Sequence, residues 1–238
     1  FHIDFRYAIG AALVASIATS SGSASAYVKE GMTNIRLGMF LEIATSIGAV
    51  AGAIIALWMP TNAIAVIFGL VLILTAVMQQ KKKTDYEGVV GSNLAKKLKL
   101  FGTYPTKEGA KSYELTHVTG GFLTMIVAGI LSGLLGIGSG VLKVLAMDGC
   151  MKVPFKVSTT TSNFMIGVTA VTSAVVYLQR GYIEPGIAFP IMVGVLCGAL
   201  TGTQLLKRLN VSLLRKIFAI AILLVAVNMI YNGFIGKF

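Results

Sequence analysis

The stretch GLLGIGSGVLKVLAMDG, residues Gly133–Gly149, lies where hydropathy predicts a membrane helix, yet it carries five glycines, a lysine and an aspartate. Glycine accepts a positive φ without steric cost, so four glycines of this stretch predict a break in that helix: Gly133, Gly136, Gly138 and Gly140. Non-helical backbone is tolerated at membrane depth only where it is buried in protein or lines a water-filled cavity. The stretch therefore predicts a broken helix that lines a site inside the membrane.

The composition of the whole chain is that of a membrane protein. Of its 238 residues, 55% are hydrophobic and 12% are charged, which is about half the charged share of a soluble domain. Seven stretches of 18 residues or more contain no charged side chain except Glu42, and about 20 apolar residues cross a bilayer. These stretches are 7–28, 37–59, 62–79, 116–142, 157–179, 185–206 and 217–236. We therefore expect an all-α polytopic membrane protein.

The net charge of +11 is concentrated in one polar segment, because residues 81–111 hold eight lysines beside three acidic residues. Cytoplasmic loops of membrane proteins carry an excess of lysine and arginine, and such loops contact anionic lipid headgroups. We therefore predict a basic cytoplasmic loop over residues 81–115 with membrane lipid as its partner, and no binding of nucleic acid.

The chain contains a weak internal repeat. At an offset of 150 residues, Ala8–Gln79 aligns with Ser158–Met229 without a gap, and 13 of the 72 pairs are identical. The identities cluster: YVKEG recurs as YLQRG, and GAVAG (residues 48–52) recurs as GALTG (residues 198–202). Internal repeats are common in transporters, so we expect a gene duplication, with the GxxxG pairs packing helices closely.

The repeat and the positive charges together predict the topology. The first membrane repeat covers 1–80 and the second 116–238, the latter opening with a broken hairpin over 117–155. If that hairpin enters and leaves on one side, six cations face the cytoplasm: Lys152, Lys156, Lys207, Arg208, Arg215 and Lys216. A single crossing would put four of them outside. We therefore expect two inverted repeats of three transmembrane helices, each preceded by a glycine-rich broken helix, with the first broken helix missing before Phe1.

The break also predicts what binds there. A broken helix leaves free N–H groups and a positive dipole end, which attract anions. Lys143 adds a positive charge close by. The predicted ligands are Gly136, Gly138, Ser139, Gly140 and Lys143. In the alternative interpretation, the glycines only pack helices and Lys143 extends to the membrane interface.

A hydroxyl-rich stretch, STTTSNFM at Ser158–Met165, opens the following span. Hydroxyls and amides donate to an anion without a full countercharge, which suits its release as well as its binding. We expect four of these residues at the site: Thr160, Thr161, Ser162 and Asn163. Helix capping and interhelical hydrogen bonds are the alternative. In the first half, packing explains TSSGSAS equally well as a site formed by Thr19, Ser20 and Ser21.

Glu42 is the one acidic residue well inside a predicted span. Because an intramembrane carboxylate is costly, it is a functional hypothesis by default, and we predict that it carries a coupling proton. A structural role beside Arg36 is the alternative. No residue pattern calls for a metal or another cofactor.

These segments resemble a known family. GLLGIGSGVLKVLAMDG with PFKVSTTTSNFMIGVTA (Pro154–Ala170), and the segment Arg6–Glu42, resemble conserved blocks of the TauE/SafE sulfite-exporter family. The resemblance implies a secondary transporter of small sulfur-containing anions (sulfite, organosulfonates or thiosulfate) in a bacterial or archaeal inner membrane. It also implies that the glycine-rich segments meet the Thr/Ser stretches at the centre of the protein.

We therefore predict alternating access around a midplane anion site, with protons as the coupling ion, and leave a homo-oligomer open. A passive anion channel is one alternative. A membrane thiol-redox carrier is another, but it requires that Cys150 and Cys197 meet, and they do not occupy equivalent repeat positions. An enzyme is disfavoured, since the membrane segments offer no catalytic triad and the chain has two histidines.

Overall fold

The computed structural model describes residues 4–29, 31–79, 91–106, 109–206 and 211–236, and most of these residues are helical. Residues 81–90, 107 and 108 of the predicted basic loop lie outside the described residues, as do Lys207 and Arg208.

Nine α-helices and one hairpin make up the described part of the chain. They are α1 (Phe5–Lys29), α2 (Ile35–Trp58), α3 (Thr61–Gln79), α4 (Asn93–Lys97), β1 (Gly102–Thr106), β2 (Gly109–Tyr113), α5 (Val118–Leu135), α6 (Gly140–Leu145), α7 (Phe155–Gln179), α8 (Pro185–Leu206) and α9 (Val211–Ile235). A π-helical turn, Ala146–Cys150, continues α6. Three helices, α2, α5 and α7, are long and apolar enough to span a membrane, and α3, α8 and α9 contain shorter apolar segments.

The helix boundaries repeat at the offset found in the sequence. Helices α1, α2 and α3 begin at residues 5, 35 and 61, while α7, α8 and α9 begin at 155, 185 and 211. Each pair of starts is separated by the same 150 residues. The order of three helices thus recurs, while the inverted relation of the two halves remains a prediction.

The all-α prediction is wrong for the basic loop. Strands β1 and β2 form an antiparallel hairpin there, with Gly102 opposite Tyr113. The buried rings of Tyr104 and Tyr113 lie 6.0 Å apart in an edge-on arrangement, and aromatic pairs of this kind stabilise sheets. Because lysines dominate the composition of this segment, the hairpin cannot be predicted from its sequence.

Helix α2 packs against α5 through glycines on both sides. A Cβ atom on Gly52 would lie 2.0 Å from the Ile130 carbonyl oxygen, and one on Gly133 would lie 2.0 Å from the Ala49 carbonyl oxygen. The two backbones therefore touch, as small residues at every fourth position permit. Gly198 in α8 differs, since a Cβ there would meet no atom within 4 Å among the described residues.

Replacement of Gly52 by alanine should therefore separate α2 from α5. We expect the free energy of unfolding in detergent to fall by about 1–3 kcal/mol, because the new methyl group overpacks a backbone contact. Gly194→Ala in α8 is the matched control, because a Cβ there would meet no described atom within 4 Å. Equal thermal stability of the two variants would contradict this packing.

Two apolar clusters fill the interior, and α2, α5 and α7 run through both. The first cluster joins the starts of these helices to the β-hairpin and the π-helical turn, and the second joins their ends to α1 and α3. On α7, Met165 belongs to the first cluster and Ala170 to the second. The polar residues described next lie at the boundary between the two clusters.

Candidate functional site

Helix α5 ends at Leu135 because the next residues turn into the left-handed region. Gly136 and Gly138 have φ values of 70° and 65°, and Ser139 has a φ of 39°. Glycine adopts these angles without steric cost, whereas a serine there needs support. The Ser139 hydroxyl supplies it by donating to the Ala128 carbonyl oxygen at 2.6 Å. The chain thus folds back onto α5 before α6 begins.

The segment also returns to its starting point. The Thr116 N–H donates to the Met151 carbonyl oxygen at 3.1 Å, and the Met151 side chain packs against Gly121. Helix α5, the break, α6 and the π-helical turn therefore form a broken hairpin whose two ends lie together.

The turn leaves buried backbone donors without acceptors. Within the described ranges, the N–H groups of Gly138, Ser139 and Gly140 donate to no backbone or side-chain acceptor. Gly138 and Ser139 are buried, and Gly140 is half-buried. A buried N–H without a partner is costly, and an oxygen that accepted from these amides would offset that cost.

Lys143 points into the protein. Its side chain is fully buried at 0% exposure, and its Nζ donates to Thr169 Oγ1 at 2.5 Å and to the Met165 carbonyl oxygen at 3.3 Å. The alternative in which Lys143 extends to the membrane interface is therefore wrong. Burial on all sides removes the water that a lysine at an interface would keep.

Glu42 lies on the other side of the same hydroxyl. Its Oε1 accepts from Thr169 Oγ1 at 2.6 Å and from Ser46 Oγ at 3.2 Å. Its Oε2 is buried and has no hydrogen-bond partner among the described residues. Glu42 does not pair with Arg36, which is exposed. The structure therefore favours a buried polar site over an interfacial pair for this carboxylate.

The hydroxyl-rich stretch at the start of α7 joins several elements. Ser162 donates to the Gly140 carbonyl oxygen at 2.9 Å, which ties α7 to the break. Thr160 donates to the Met32 carbonyl oxygen at 2.8 Å, and Thr161 accepts from the Asn34 N–H at 3.1 Å. Asn163, which follows Ser162 along α7, is half-buried. These hydroxyls have partners within the protein, as the alternative based on interhelical hydrogen bonds expects.

Of the three residues predicted on α1, only Ser20 makes a hydrogen bond to another helix. Ser20 reaches α7, where its hydroxyl donates to the Asn163 carbonyl oxygen and accepts from the Gly167 N–H. Thr19 and Ser21 donate to carbonyl oxygens of their own helix, and Ser21 is exposed.

The structure thus brings together only part of the predicted set. Gly140 and Ser162 are bonded across the break, and Lys143 and Glu42 meet through Thr169. Thr160 and Thr161 instead contact the loop before α2.

Thr169 joins the two buried charged groups but is not among the residues predicted from the sequence. The repeat carries a signal for it, because Thr169 aligns with Thr19 as one of the identical pairs. A threonine in an apolar helix is otherwise common, so the residue type alone does not indicate this role.

Asn34 is a second residue that the sequence analysis missed. Its side chain caps α2 by accepting from the Leu37 N–H, and it donates to the Leu100 carbonyl oxygen and to the Tyr113 hydroxyl, the latter at 2.7 Å. Burial raises the pKa of Tyr113 to about 12, against the opposing effect of the Asn34 hydrogen bond. Tyr113 therefore stays neutral near pH 7, and Asn34 fastens the loop hairpin to the helices.

The two cysteines are free thiols in different surroundings. Cys150 is half-buried on the π-helical turn, and Cys197 is exposed on α8. Nothing in the described part of the chain joins them, which gives the thiol-redox alternative no support.

Comparison with known proteins points to a transporter family. A family model described as "Sulfite exporter TauE/SafE" matches residues 1–229. The "Probable membrane transporter protein YunE" of Bacillus subtilis (strain 168) is 27% identical over 231 residues, which cover 96% of this chain and 82% of that protein.

Two further relatives agree. The "Probable membrane transporter protein YdhB" of the same bacterium is 25% identical over 206 residues, covering 86% of this chain and 76% of that protein. A "Probable membrane transporter protein" of Xylella fastidiosa (strain 9a5c) is 22% identical over 228 residues, covering 95% of this chain and 80% of that protein. No solved structure matches the chain.

Proposed function

This chain belongs to the sulfite exporter TauE/SafE family of membrane proteins, and from that membership we propose that it is a secondary transporter of small sulfur-containing anions. The proposed substrates are sulfite, organosulfonates or thiosulfate. Its relatives are described as probable membrane transporters, and three of its helices are long and apolar enough to cross a membrane.

The observation that carries the proposal is the break between α5 and α6. It combines buried amides that lack acceptors with a fully buried lysine on the first turn of α6. Preorganised N–H donors and a positive charge in a water-poor interior attract a negative group strongly. Sulfur oxyanions present several oxygens to such donors, and the family description names sulfite.

The proposed mechanism is alternating access between two inverted repeats. The recurrence of three helices at an offset of 150 residues supports a duplicated architecture, and transporters built from inverted repeats bind substrate where the repeats meet. The two repeats then rock about the broken hairpin, to which Ser162 and Lys143 bond α7. In this proposal the protein lies in the inner membrane. The basic loop, residues 81–115, then faces the cytoplasm.

Anion flux after substitution of three polar residues tests the site. We expect Ser139→Ala, Thr161→Ala and Asn163→Ala each to lower sulfite uptake into proteoliposomes about tenfold, which equals the loss of one hydrogen bond of about 1.4 kcal/mol. Ser139 supports the turn, Thr161 holds the loop before α2, and Asn163 directly follows the hydroxyl-bearing residues in α7.

Ser112→Ala is the control, because Ser112 is exposed on β2. Unchanged transport of sulfite and organosulfonates in all three site variants would discard the proposed site. If anion flux follows the electrochemical gradient alone, without pH dependence or exchange, the protein is a passive channel and not a secondary transporter.

A further inference from the structure

The buried charges form a chain of three side chains. The Lys143 ammonium donates to the Thr169 hydroxyl at 2.5 Å. That hydroxyl has two acceptors within reach, Glu42 Oε1 at 2.6 Å and the Met165 carbonyl oxygen at 2.9 Å, and its one proton goes to the shorter contact, which ends on a charged group. Lys143 and Thr169 are 0% exposed and Glu42 is 5% exposed. One hydroxyl therefore accepts from the cation and donates to the anion, so the ammonium and the carboxylate stabilise each other without direct contact.

No other charge compensates Glu42. Helix α2 packs against α5 and α7, and among the described residues only Lys143 carries a charge whose field acts on Glu42. The remaining titratable side chains on α2, at the start of α5, on the π-helical turn and on α7 are Arg36, His117, Asp148, Cys150, Lys156 and Tyr177. A buried charge without a partner is very costly. The Glu42 carboxylate and the Lys143 ammonium therefore have to be charged together, so that their opposite charges cancel.

Lys143 belongs to the broken hairpin as well as to this chain of side chains. Its own N–H donates to the Ser139 carbonyl oxygen at 3.0 Å, so the residue lies on the turn that follows the unpaired amides of Gly138, Ser139 and Gly140. Its ammonium is held on α7 by Thr169 and by the Met165 carbonyl oxygen. If an anion binds at these amides, as the proposed function requires, it would draw on the same cation as the Glu42 carboxylate.

Glu42 has a free oxygen for the compensating proton. Its Oε2 is buried and lacks a hydrogen-bond partner among the described residues. If the Lys143 ammonium pairs with an anion, it no longer compensates the charge of Glu42. The carboxylate is then an uncompensated charge in an apolar interior unless it binds a proton on Oε2. The cost of that bare charge is what couples the two events.

We propose, on the premise that the chain carries anions as inferred above, that Lys143 is shared between Glu42 and the substrate, so that one proton crosses with each monovalent anion. In the empty state, Glu42 is ionised and Lys143 neutralises it. In the loaded state, Glu42 holds the proton on its carboxylate and Lys143 neutralises the anion. The net buried charge is zero in both states, so the complete cycle moves no charge across the membrane.

The test uses the full-length protein in proteoliposomes with radiolabelled methanesulfonate, which stays a monovalent anion throughout the assay. Uptake is followed together with internal pH, reported by an entrapped fluorescent dye, and the membrane potential is set with potassium and valinomycin. We expect an inward proton gradient to drive accumulation, about one proton to enter per sulfonate, and the membrane potential to leave the initial rate unchanged.

Glu42→Gln gives a second readout. Glutamine cannot bind the proton, so each cycle of the variant carries the charge of the anion, and its residual uptake should follow the membrane potential and ignore the proton gradient. Glu114→Gln is the matched control, because Glu114 is exposed beside the loop hairpin. A purely structural role of Glu42 would lower the rate without changing this dependence.

The outcomes separate the two proposals. Wild-type uptake that follows the membrane potential and brings in no protons would overturn the coupling while leaving the transport function in place. A Glu42→Gln variant that still accumulates sulfonate with the proton gradient would also overturn it. If the wild type carries neither methanesulfonate nor sulfite, the transport function itself fails. The wild-type ratio of protons to sulfonate decides the question even if the variant folds poorly.

Discussion

Replacement of Lys143 by methionine is expected to lower the initial rate of sulfite uptake about 100-fold. Methionine keeps most of the length of the lysine side chain and removes its charge. Because Lys143 is fully buried, water cannot replace that charge, and a lost hydrogen bond to a charged group amounts to about 1.5–3 kcal/mol, or roughly 10- to 150-fold. Uptake of radiolabelled sulfite into proteoliposomes measures the effect.

A loss of folding must be separated from a loss of transport. Lys143→Met leaves Glu42 without its cation, so the paired variant Lys143→Met/Glu42→Gln, in which both charges are absent, is measured beside it. We expect the pair to recover thermal stability but not uptake. Lys156→Met is the matched control, since Lys156 is exposed at the start of α7. Uptake by the pair within threefold of the wild type would show that the cation is not needed.

Replacement of Thr169 by valine is expected to lower the free energy of unfolding by about 2–4 kcal/mol. The substitution keeps the shape of the side chain, but it leaves Lys143 Nζ without one acceptor and Glu42 Oε1 without one donor. Buried charged groups that lose a partner carry most of their desolvation cost. Thermal unfolding in detergent measures the change, and Thr169→Ser should recover most of it.

Thr124→Val is the matched control for this substitution. The Thr124 hydroxyl also donates to carbonyl oxygens of its own helix, but the residue is exposed on α5. We expect it to change stability by less than about 0.5 kcal/mol. If Thr169→Val and Thr124→Val behave alike, the hydroxyl between the two charges makes no special contribution.

The break in the helix could be predicted from the sequence because its cause is local. Gly136 and Gly138 adopt positive φ values, and a cluster of glycines in an apolar stretch already favours such angles. The direction of the Lys143 side chain could not be predicted. It depends on how α6 packs against α7, and a lysine in this position serves an interface equally well when the neighbouring helix lies elsewhere.

The hydroxyl-rich stretch shows a second limit. The sequence shows how many hydrogen-bond donors lie in Ser158–Met165, but it does not show which acceptors lie near them in the folded protein. Thr160 finds the Met32 carbonyl oxygen and Ser162 finds the Gly140 carbonyl oxygen, and both partners are distant in the chain. Glu42 was identified because a carboxylate in an apolar span is unusual in itself, whereas its partner Thr169 became visible only in three dimensions.

The most direct test of the account is the position of a bound anion in an experimental structure of the full-length protein. In crystals grown with 2-bromoethanesulfonate, the anomalous signal of the bromine shows where the sulfonate is bound. We expect one peak at the break, with sulfonate oxygens within hydrogen-bond distance of the amides of Gly138–Gly140 and of Lys143 Nζ. A peak elsewhere, or an empty break in a protein shown to transport this compound, would contradict it.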